Sequence, residues 1–482
     1  MSQNAVSMAD RIPVREKIGY AMGDTAANFI FQTMIMFQLS FYTDTFGISA
    51  TAAGILFLVV RFWDAIFDPI MGVIADHTNT RFGKFRPWVL WTALPFGIMG
   101  FLTFCTPNLG MQGKLIYAFV TYIALMMVYS MNNLPYSALS GVMTGNQGER
   151  TSLSSYRFVF AMIAQLLIQG AALPMVHFFG HGDNALGYRW TMGIFSSAAV
   201  LLFLCTFAAT KERIQPPPGE KVPIRRNFED LLLNKPWIVM FFVTIILFIT
   251  LSMRGSVVIY YFQYYVKNES LFSAFNVLGT LSTILGIFFS KPLAMRFGKK
   301  AVFITGLLGT AFFCALFLFL PASSPKIFLD TQFPLFGHPV HLLLDQAAAV
   351  IFGCEMLRQF VYGFTIPLLW AMMADVADYS EWKFNRRATG VVFSAIVFGL
   401  KAGLGFGGAL AAAVLAHFGY VPNAVQTPRA LDGIRYTMSI LPAITFALCG
   451  LTLLFYTIGK KEEKEISEDL AARRAKLEEA QA

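Results

Sequence analysis

Long apolar runs alternate with short polar segments along almost the whole chain. A helix needs roughly 20 apolar residues to cross the ~30 Å hydrocarbon core of a bilayer. Twelve runs reach that length: 18–43, 51–75, 87–106, 113–140, 152–177, 188–209, 237–266, 272–295, 300–320, 346–376, 389–416 and 438–458. The pattern predicts an all-α membrane protein with twelve transmembrane helices.

The longest polar break, 211–236, contains PPPG and divides the runs into two sets of six. The sequence RFGK follows the second run of each set, at 81–84 and at 296–299. Matching signatures at equivalent places are typical of duplicated transporters, which bind substrate near the midplane between two pseudo-symmetric halves. The predicted parts are an N-terminal six-helix bundle 1–210, a cytoplasmic linker 211–236, a C-terminal six-helix bundle 237–458 and a charged cytoplasmic tail 459–482.

Composition and charge agree with a membrane protein. Of the 482 residues, 56% are hydrophobic and 13% are charged, which excludes a soluble globular protein. Basic residues concentrate in alternate loops, such as RFGKFR (81–86) and KFNRR (383–387), and in both tails, so the positive-inside rule places both termini in the cytoplasm of a bacterial inner-membrane protein. The net charge of +9 is scattered over many loops and does not indicate a nucleic-acid partner.

The sequence carries no sign of catalysis. It contains no visible nucleophile constellation, no metal-ligand spacing and no soluble catalytic domain, and its five cysteines lie in the apolar runs without paired spacing. We therefore expect neither an enzyme nor a membrane-embedded signalling protein, and no cofactor.

Two carboxylates, Asp64 and Asp68, lie four residues apart in the second run. They project from one helical face, where two negative charges repel unless one takes a proton or a cation shares the site. The pair therefore predicts a binding site for H⁺ or Na⁺, and no other metal site is expected. The alternative is a permanent salt bridge from the pair to Arg61, Arg157 or Arg254.

Other polar residues inside the runs are candidates for sugar binding. Asp24 and Asn28 are one turn apart in the first run, and Asn133 belongs to NNLPY in the fourth. They suit sugar hydroxyls, while hydrogen bonding between helices is the alternative. Lys401 and Arg254 lie in apolar runs and need either a carboxylate partner or a polar or anionic substrate.

Two further patterns predict contacts between helices. Glu355 and Arg358 are three residues apart and are expected to neutralise each other, and Gly403 and Gly407 form a GxxxG pair that permits close packing. The cytoplasmic segments 72–87 and 374–390 place carboxylates beside basic clusters, and we interpret them as gating latches. The candidate gating residues are Asp76, Arg81, Lys84, Asp375, Asp378 and Arg387.

Several motifs resemble those of the glycoside–pentoside–hexuronide:cation symporter family, a sugar-transporting branch of the major facilitator superfamily. The motifs are GYAMGDTAANF, WDAIFDPIMG followed by RFGKFRPW, NNLPY, SSYRF, YYFQYYV and ADVADYSEWKFNRR. The resemblance implies twelve helices in two bundles that work by alternating access. It also implies a cation site at Asp64 and Asp68, sugar-site roles for Arg157 and Lys401, and a gating role for Arg387.

The chain departs from the melibiose-transporting members of that family. Asn28 and Asn133 stand where those members have aspartates, and Ser137 and Ile366 stand where they have tryptophans. A less negative cavity favours a hexuronide or a neutral pentoside over an α-galactoside. The loss of a carboxylate at Asn133 also favours H⁺ weakly over Na⁺.

We thus expect a monomeric symporter that moves a glycoside, pentoside or hexuronide with H⁺ or Na⁺ across the lipid bilayer. A carrier of lipids or other small molecules on the same scaffold, and an uncoupled sugar facilitator, remain as alternatives.

Overall fold

The computed structural model describes residues 12–144, 147–213, 233–335, 338–384 and 389–481. Clustering of contacts divides the chain into two compact units, with the first extending to Gly219 and the second beginning at Glu220. The short segment Phe333–Val340 clusters with the first unit. Residues 214–232 of the predicted linker lie outside the described part of the chain.

Six long helices make up the described part of the first unit. They are α1 (Val14–Ser40), α2 (Ala50–His77), α3 (Arg86–Thr103), α4 (Met111–Met143), α5 (Gln147–Gly180) and α6 (Asn184–Ala209). Helix α1 packs between α5 and α6, while α4 packs between α2 and α3. This arrangement brings the polar residues of α1, α2, α4 and α5 into one bundle.

From Leu233 onwards, the described part of the chain contains nine helices and a pair of strands. The helices are α7 (Lys235–Tyr260), α8 (Leu271–Phe297), α9 (Lys299–Leu316), α10 (Gln346–Gly363), α11 (Thr365–Phe384), α12 (Thr389–His417), α13 (Pro428–Met438), α14 (Ile440–Thr452) and α15 (Lys460–Gln481). The strands β1 (Ile327–Leu335) and β2 (His338–Asp345) pair with each other in a segment where the hydrophobic pattern predicts no element.

Ten spans in the described residues are long and apolar enough to cross a membrane. Two of the twelve predicted helices, α1 and α3, are present but fall short of that composition. The inner part of α1 carries Asp24, Asn28 and two glutamines, and α3 has only 18 residues and begins with Arg86. Two of the ten spans contain an interruption. One span is formed by α10 and α11 together, and another is formed by α13 and α14.

The first helix of each unit ends in the same unusual way. Helix α1 continues into a six-residue π-helix, Phe41–Phe46, and α7 continues into another, Tyr261–Val266. Each π-helix is followed by a residue in the left-handed conformation, Gly47 in one unit and Lys267 in the other.

The RFGK turns also match. Gly83 has φ +111° and Gly298 has φ +89°, a region that glycine enters without steric cost. The glycine of the repeated motif is therefore required by the backbone in both units.

The predicted charged tail forms helix α15. Its apolar residues Ile466 and Leu470 are buried in the same core as Met240 of α7, Phe303 of α9 and Met372 of α11. The tail is therefore part of the second unit.

Candidate functional site

Asp64 of α2 forms a buried ion pair with a neighbour on its own helix. Arg61 donates from Nη1 to Asp64 Oδ2 at 2.8 Å, and Asp64 is only 3% exposed. Of the three arginines considered as partners for the aspartate pair, Arg61 contacts Asp64 directly. Asp68 lies one turn further along α2 and is half-buried.

Aromatic residues adjoin this pair along α2 and on α4. Trp63 and Phe67, the residues that precede the two aspartates, stack with ring centroids 6.3 Å apart. From α4, Tyr122 lies within electrostatic reach of Arg61 and Asp64.

A second polar cluster joins α1, α4 and α5. Arg157 Nη2 lies 3.1 Å from Asp24 Oδ1, and the guanidinium carbon of Arg157 lies 5.3 Å from the ring centroid of Tyr136. The Arg157 side chain keeps 31% of its surface exposed. The amide of Asn28 donates to the backbone oxygen of Asp24 at 2.8 Å, which orients Asn28 beside the pair.

Tyr129 of α4 lies near both clusters. Its ring stacks on that of Phe31 in α1 with centroids 5.3 Å apart, and its electrostatic surroundings include Asp24 and Arg157 as well as Asp68 and Arg61. The candidate sugar residues and the candidate cation residues of the first unit therefore share one polar neighbourhood.

The neighbouring amides of α4 have different surroundings. Asn132 is 2% exposed and donates to Thr92 Oγ1 of α3 at 2.7 Å. Asn133 is half-buried on another side of the helix. The geometry gives Asn132 a helix-packing role and keeps Asn133 as the candidate for sugar binding.

The structure does not support a sugar-binding role for Arg254. Its two terminal nitrogens lie 3.2 Å and 2.6 Å from the two carboxylate oxygens of Glu355. Glu355 also pairs with Arg358 at 2.6 Å, as the spacing of these two residues predicts, and all three side chains are buried. Arg254 belongs to this closed triad because a buried guanidinium requires a carboxylate partner.

Lys401 lies in α12 and is half-buried. The predicted close packing of the same helix is confirmed: a Cβ atom at Gly403 would lie 2.7 Å from the backbone oxygen of Ile245 in α7. Gly407 contacts the backbone of Ile249 in the same way.

The sequence matches the profile described as MFS/sugar transport protein over residues 19–460. The chain belongs to this family of the major facilitator superfamily. It is therefore a multi-pass membrane transporter and not an enzyme.

Named relatives and solved structures agree with this assignment. The chain is 37% identical to the putative glycoside/cation symporter YagG of Escherichia coli (strain K12), covering 98% of this chain and 97% of the relative. It is 34% identical to the isoprimeverose transporter of Lactiplantibacillus pentosus, covering 95% and 91%. The crystal structure of a D-xylose-proton symporter matches 93% of this chain and 98% of its own with a TM-score of 0.64 at 13% identity, which shows a shared major facilitator fold.

The candidate gating residues of this transporter are only partly described. Asp375 of α11 accepts from Lys299 of α9 at 2.7 Å, and Lys299 also lies 2.8 Å from Glu463 of the tail helix. Asp378 lies one turn further along α11. Arg387 and the side chain of Asp76 lie outside the described residues.

The RFGK turn of the first unit is held by a residue that the sequence did not single out. Glu212 accepts backbone N–H bonds from Lys84, Phe85 and Arg86 at 2.7–2.8 Å. Lys84 is thus fixed through its backbone, and Arg81 lies over the ring of Phe82.

Glu212 and Glu463 occupy equivalent places in the two units, and the sequence alone could have revealed this. Each is an acidic residue a few positions after the last span of its unit, and each reaches the RFGK motif of that unit. Next to Glu212, Arg213 pairs with Glu16 at 2.7 Å, and this contact raises the pKa of the Arg213 guanidinium. An acidic residue shortly after the last span of each unit could have indicated a contact with the RFGK turn. The hydrophobic pattern alone does not show it.

Proposed function

We propose that this transporter is a proton-coupled symporter that moves a neutral glycoside inward across the bacterial inner membrane. The observation that carries the proposal is the presence of two ion pairs in the same unit, Arg61–Asp64 with Asp68 one turn further along α2, and Asp24–Arg157 between α1 and α5. In coupled transport, the cation must affect the binding of the sugar, so the groups that bind them should lie close together. Coupling means that each ligand improves the binding of the other by the same factor.

Charge balance supports one transported cation at Asp68. The middle parts of α1, α2 and α5, as far as the structure describes them, carry three carboxylates and two guanidiniums: Asp24, Asp64, Asp68, Arg61 and Arg157. The sum is one negative charge. One transported cation would bring this sum to zero, and we propose Asp68 as the residue that takes it.

A proton suits that position better than Na⁺. A hard cation binds several oxygen ligands at once, whereas a proton needs one carboxylate oxygen. The guanidinium of Arg61 lies against Asp64 and would repel a metal ion, and the stacked rings of Trp63 and Phe67 offer no oxygen ligand. No group of three or more His, Cys, Asp or Glu side chains with metal-binding geometry occurs in the described residues.

A neutral glycoside fits the sugar cluster better than a hexuronide. Because Arg157 is already paired with Asp24, its charge is compensated before substrate arrives. A guanidinium–carboxylate pair can donate to and accept from sugar hydroxyls, while an unpaired guanidinium would select a carboxylate. Asn28 and Asn133 of the same unit are proposed to complete this cluster, and the similarity to an isoprimeverose transporter supports a neutral glycoside.

The positive-inside distribution of Lys and Arg supports the proposed orientation, with both termini in the cytoplasm. Inward movement of one proton with a neutral sugar would gain about 2.3 kcal/mol per 100 mV of membrane potential. That energy would concentrate the glycoside inside the cell.

The test uses right-side-out membrane vesicles that contain the full-length protein, screened with neutral glycosides and with glucuronides. We expect a neutral glycoside to raise the external pH without any need for Na⁺. Asp68→Asn should abolish this signal, and Asp432→Asn, a charge change at an exposed residue of α13, should preserve it.

Other outcomes would contradict individual parts of the proposal. Sugar uptake that requires Na⁺ and leaves the external pH unchanged would show that the coupling ion is Na⁺ and not H⁺. Transport restricted to glucuronides would contradict the neutral substrate, and uptake that Asp68→Asn leaves unchanged would indicate an uncoupled facilitator.

A further inference from the structure

A cavity of about 810 Å³ lies outside the proposed transport site, where the ends of α8 and α11 meet the tail helix α15. Both the RFGK turn and the tail border it, so in the proposed orientation it lies at the cytoplasmic face. All of its lining residues belong to the second unit.

The rim of the cavity carries more positive than negative charge. Its four lysines are Lys291, Lys299, Lys460 and Lys464, and its two acids are Glu463 and Glu468. Lys299 is compensated by Asp375 and Glu463. Lys464 has only a long contact of 3.7 Å to Glu468, between exposed side chains, and such pairs contribute little.

Lys291 and Lys460 have no carboxylate within ion-pair distance among the described residues. They approach the same turn of α8, because Lys460 donates to the backbone oxygen of Met295, four residues after Lys291. Lys291 also lies six residues before the end of α8, roughly 9 Å inside the helix at 1.5 Å per residue. Two positive charges therefore converge on a cavity at the edge of the apolar region.

The remaining wall of the cavity is apolar. It includes Ile287, Ala294, Pro367 and Ala371, and the adjoining surface of α8 exposes Phe288 (73%) and Met295 (68%). A small soluble anion would leave this wall in contact with water. A molecule with an anionic head and hydrocarbon chains would satisfy the lysines and cover the apolar surface together.

We propose that this cavity binds the phosphate-bearing head group of an anionic phospholipid, with its acyl chains along α8. Basic pockets between transmembrane helices on the cytoplasmic side suit such head groups, since that leaflet carries anionic lipid. Lys291 and Lys460 contact the phosphate, and the lipid bridges α8 to the tail helix. The proposal rests on the proposed orientation of the termini and does not depend on the transported sugar or cation.

The experiment measures the thermal unfolding midpoint of the purified full-length protein in mild detergent during titration with phosphatidylglycerol. Phosphatidylcholine and inorganic phosphate serve as parallel titrants. The test variant is Lys291→Gln with Lys460→Gln. The matched control is Lys326→Gln with Lys461→Gln, which removes the same two charges from exposed residues outside the cavity lining.

We expect phosphatidylglycerol to raise the midpoint of the native protein and of the control, with little effect from the other two titrants. At about 1 kcal/mol for each lysine, the test variant should need roughly 30 times more phosphatidylglycerol for half of the shift. Lys291→Arg with Lys460→Arg should retain the native response, which separates lost charge from a folding defect.

Three results would overturn the proposal: equal shifts with phosphatidylglycerol and phosphatidylcholine, equal losses in test and control variants, or a full shift with inorganic phosphate alone. The last result would assign the cavity to a soluble phosphate. Because the readout is lipid binding, a failure here is distinguishable from a failure of sugar or proton transport.

Discussion

One carboxylate of α2 is held by an ion pair within its own helix. Arg61 lies three residues before Asp64 and contacts it at 2.8 Å, whereas Asp68 lies on the next helical turn. Removing one member of a buried pair leaves an uncompensated charge, which costs more than removing both.

This asymmetry gives a prediction for the pair. We expect Arg61→Gln alone to lower the free energy of unfolding by about 3–5 kcal/mol, and Arg61→Gln with Asp64→Asn to restore most of that loss. Thermal unfolding of the purified variants would measure both. If Asp64 supports Asp68 without binding the proton itself, the double variant should also recover proton-coupled uptake, while additive losses would show that Asp64 acts independently of Arg61.

We expect substitutions of the two asparagines of NNLPY to have different effects, one on stability and the other on transport. Asn132→Ala removes a buried hydrogen bond to Thr92 and should lower the free energy of unfolding by about 1–3 kcal/mol. Asn133→Ala should leave stability nearly unchanged and raise the KM for the glycoside. Measuring unfolding and uptake for both variants tests this, and a shared phenotype would contradict the assignment of different roles.

At this scale, sequence predicts contacts within one helix far better than contacts between helices. Asp64 and Arg61, or Glu355 and Arg358, are neighbours by helical spacing alone. The Arg254–Glu355 pair joins positions 101 residues apart, so no local pattern could show that Arg254 is already occupied.

Helices pack closely only where their facing residues allow it. In α12, the two glycines of the GxxxG pair lie against the backbone of α7, and Ser252 of α7 donates to the backbone oxygen of Leu404 at 2.6 Å. Sequence predicted this packing because small residues at that spacing have one dominant use in membranes. The paired strands lie between two predicted membrane-spanning runs, in a segment where the hydrophobic pattern predicts no element.

A matched pair of glycine variants tests the close packing. A Cβ atom at Gly407 would clash with the backbone of Ile249, while one at Gly353 in α10 meets nothing within 4 Å. We expect Gly407→Ala to destabilise the protein by about 1–3 kcal/mol through overpacking. Gly353→Ala should be neutral or slightly stabilising, and equal unfolding midpoints for the two variants would argue against tight packing of α12 on α7.

For the whole molecule, the proposal of coupled transport makes a quantitative demand. If a proton increases the affinity for the glycoside by some factor, the glycoside must increase the affinity for the proton by the same factor. We expect glycoside binding to weaken as pH rises in the native protein and to lose that dependence in Asp68→Asn. Equilibrium binding across a pH series would measure it, and an unchanged pH dependence in the variant would move the proton to another residue.

For the whole molecule, the sequence indicates the division into two halves most directly. RFGK occurs twice, and the positive φ of Gly83 and Gly298 explains why its glycine is needed in both places. The acids that hold these turns were not predicted, because Glu212 and Glu463 act from segments that look like ordinary charged termini of helices.

The paired π-helices bear on the history of the chain. In each half, the closing hydrogen bond joins equivalent positions: Ile48 donates to the backbone oxygen of Tyr42 at 2.9 Å, and Asn268 donates to that of Phe262 at 3.0 Å. A π-helix holds more residues per turn than an α-helix and is rare in proteins. Two independent insertions of matching length at matching places are less economical than a single one. If the two halves arose by duplication of one ancestral half, the wide turn is most simply assigned to that ancestor.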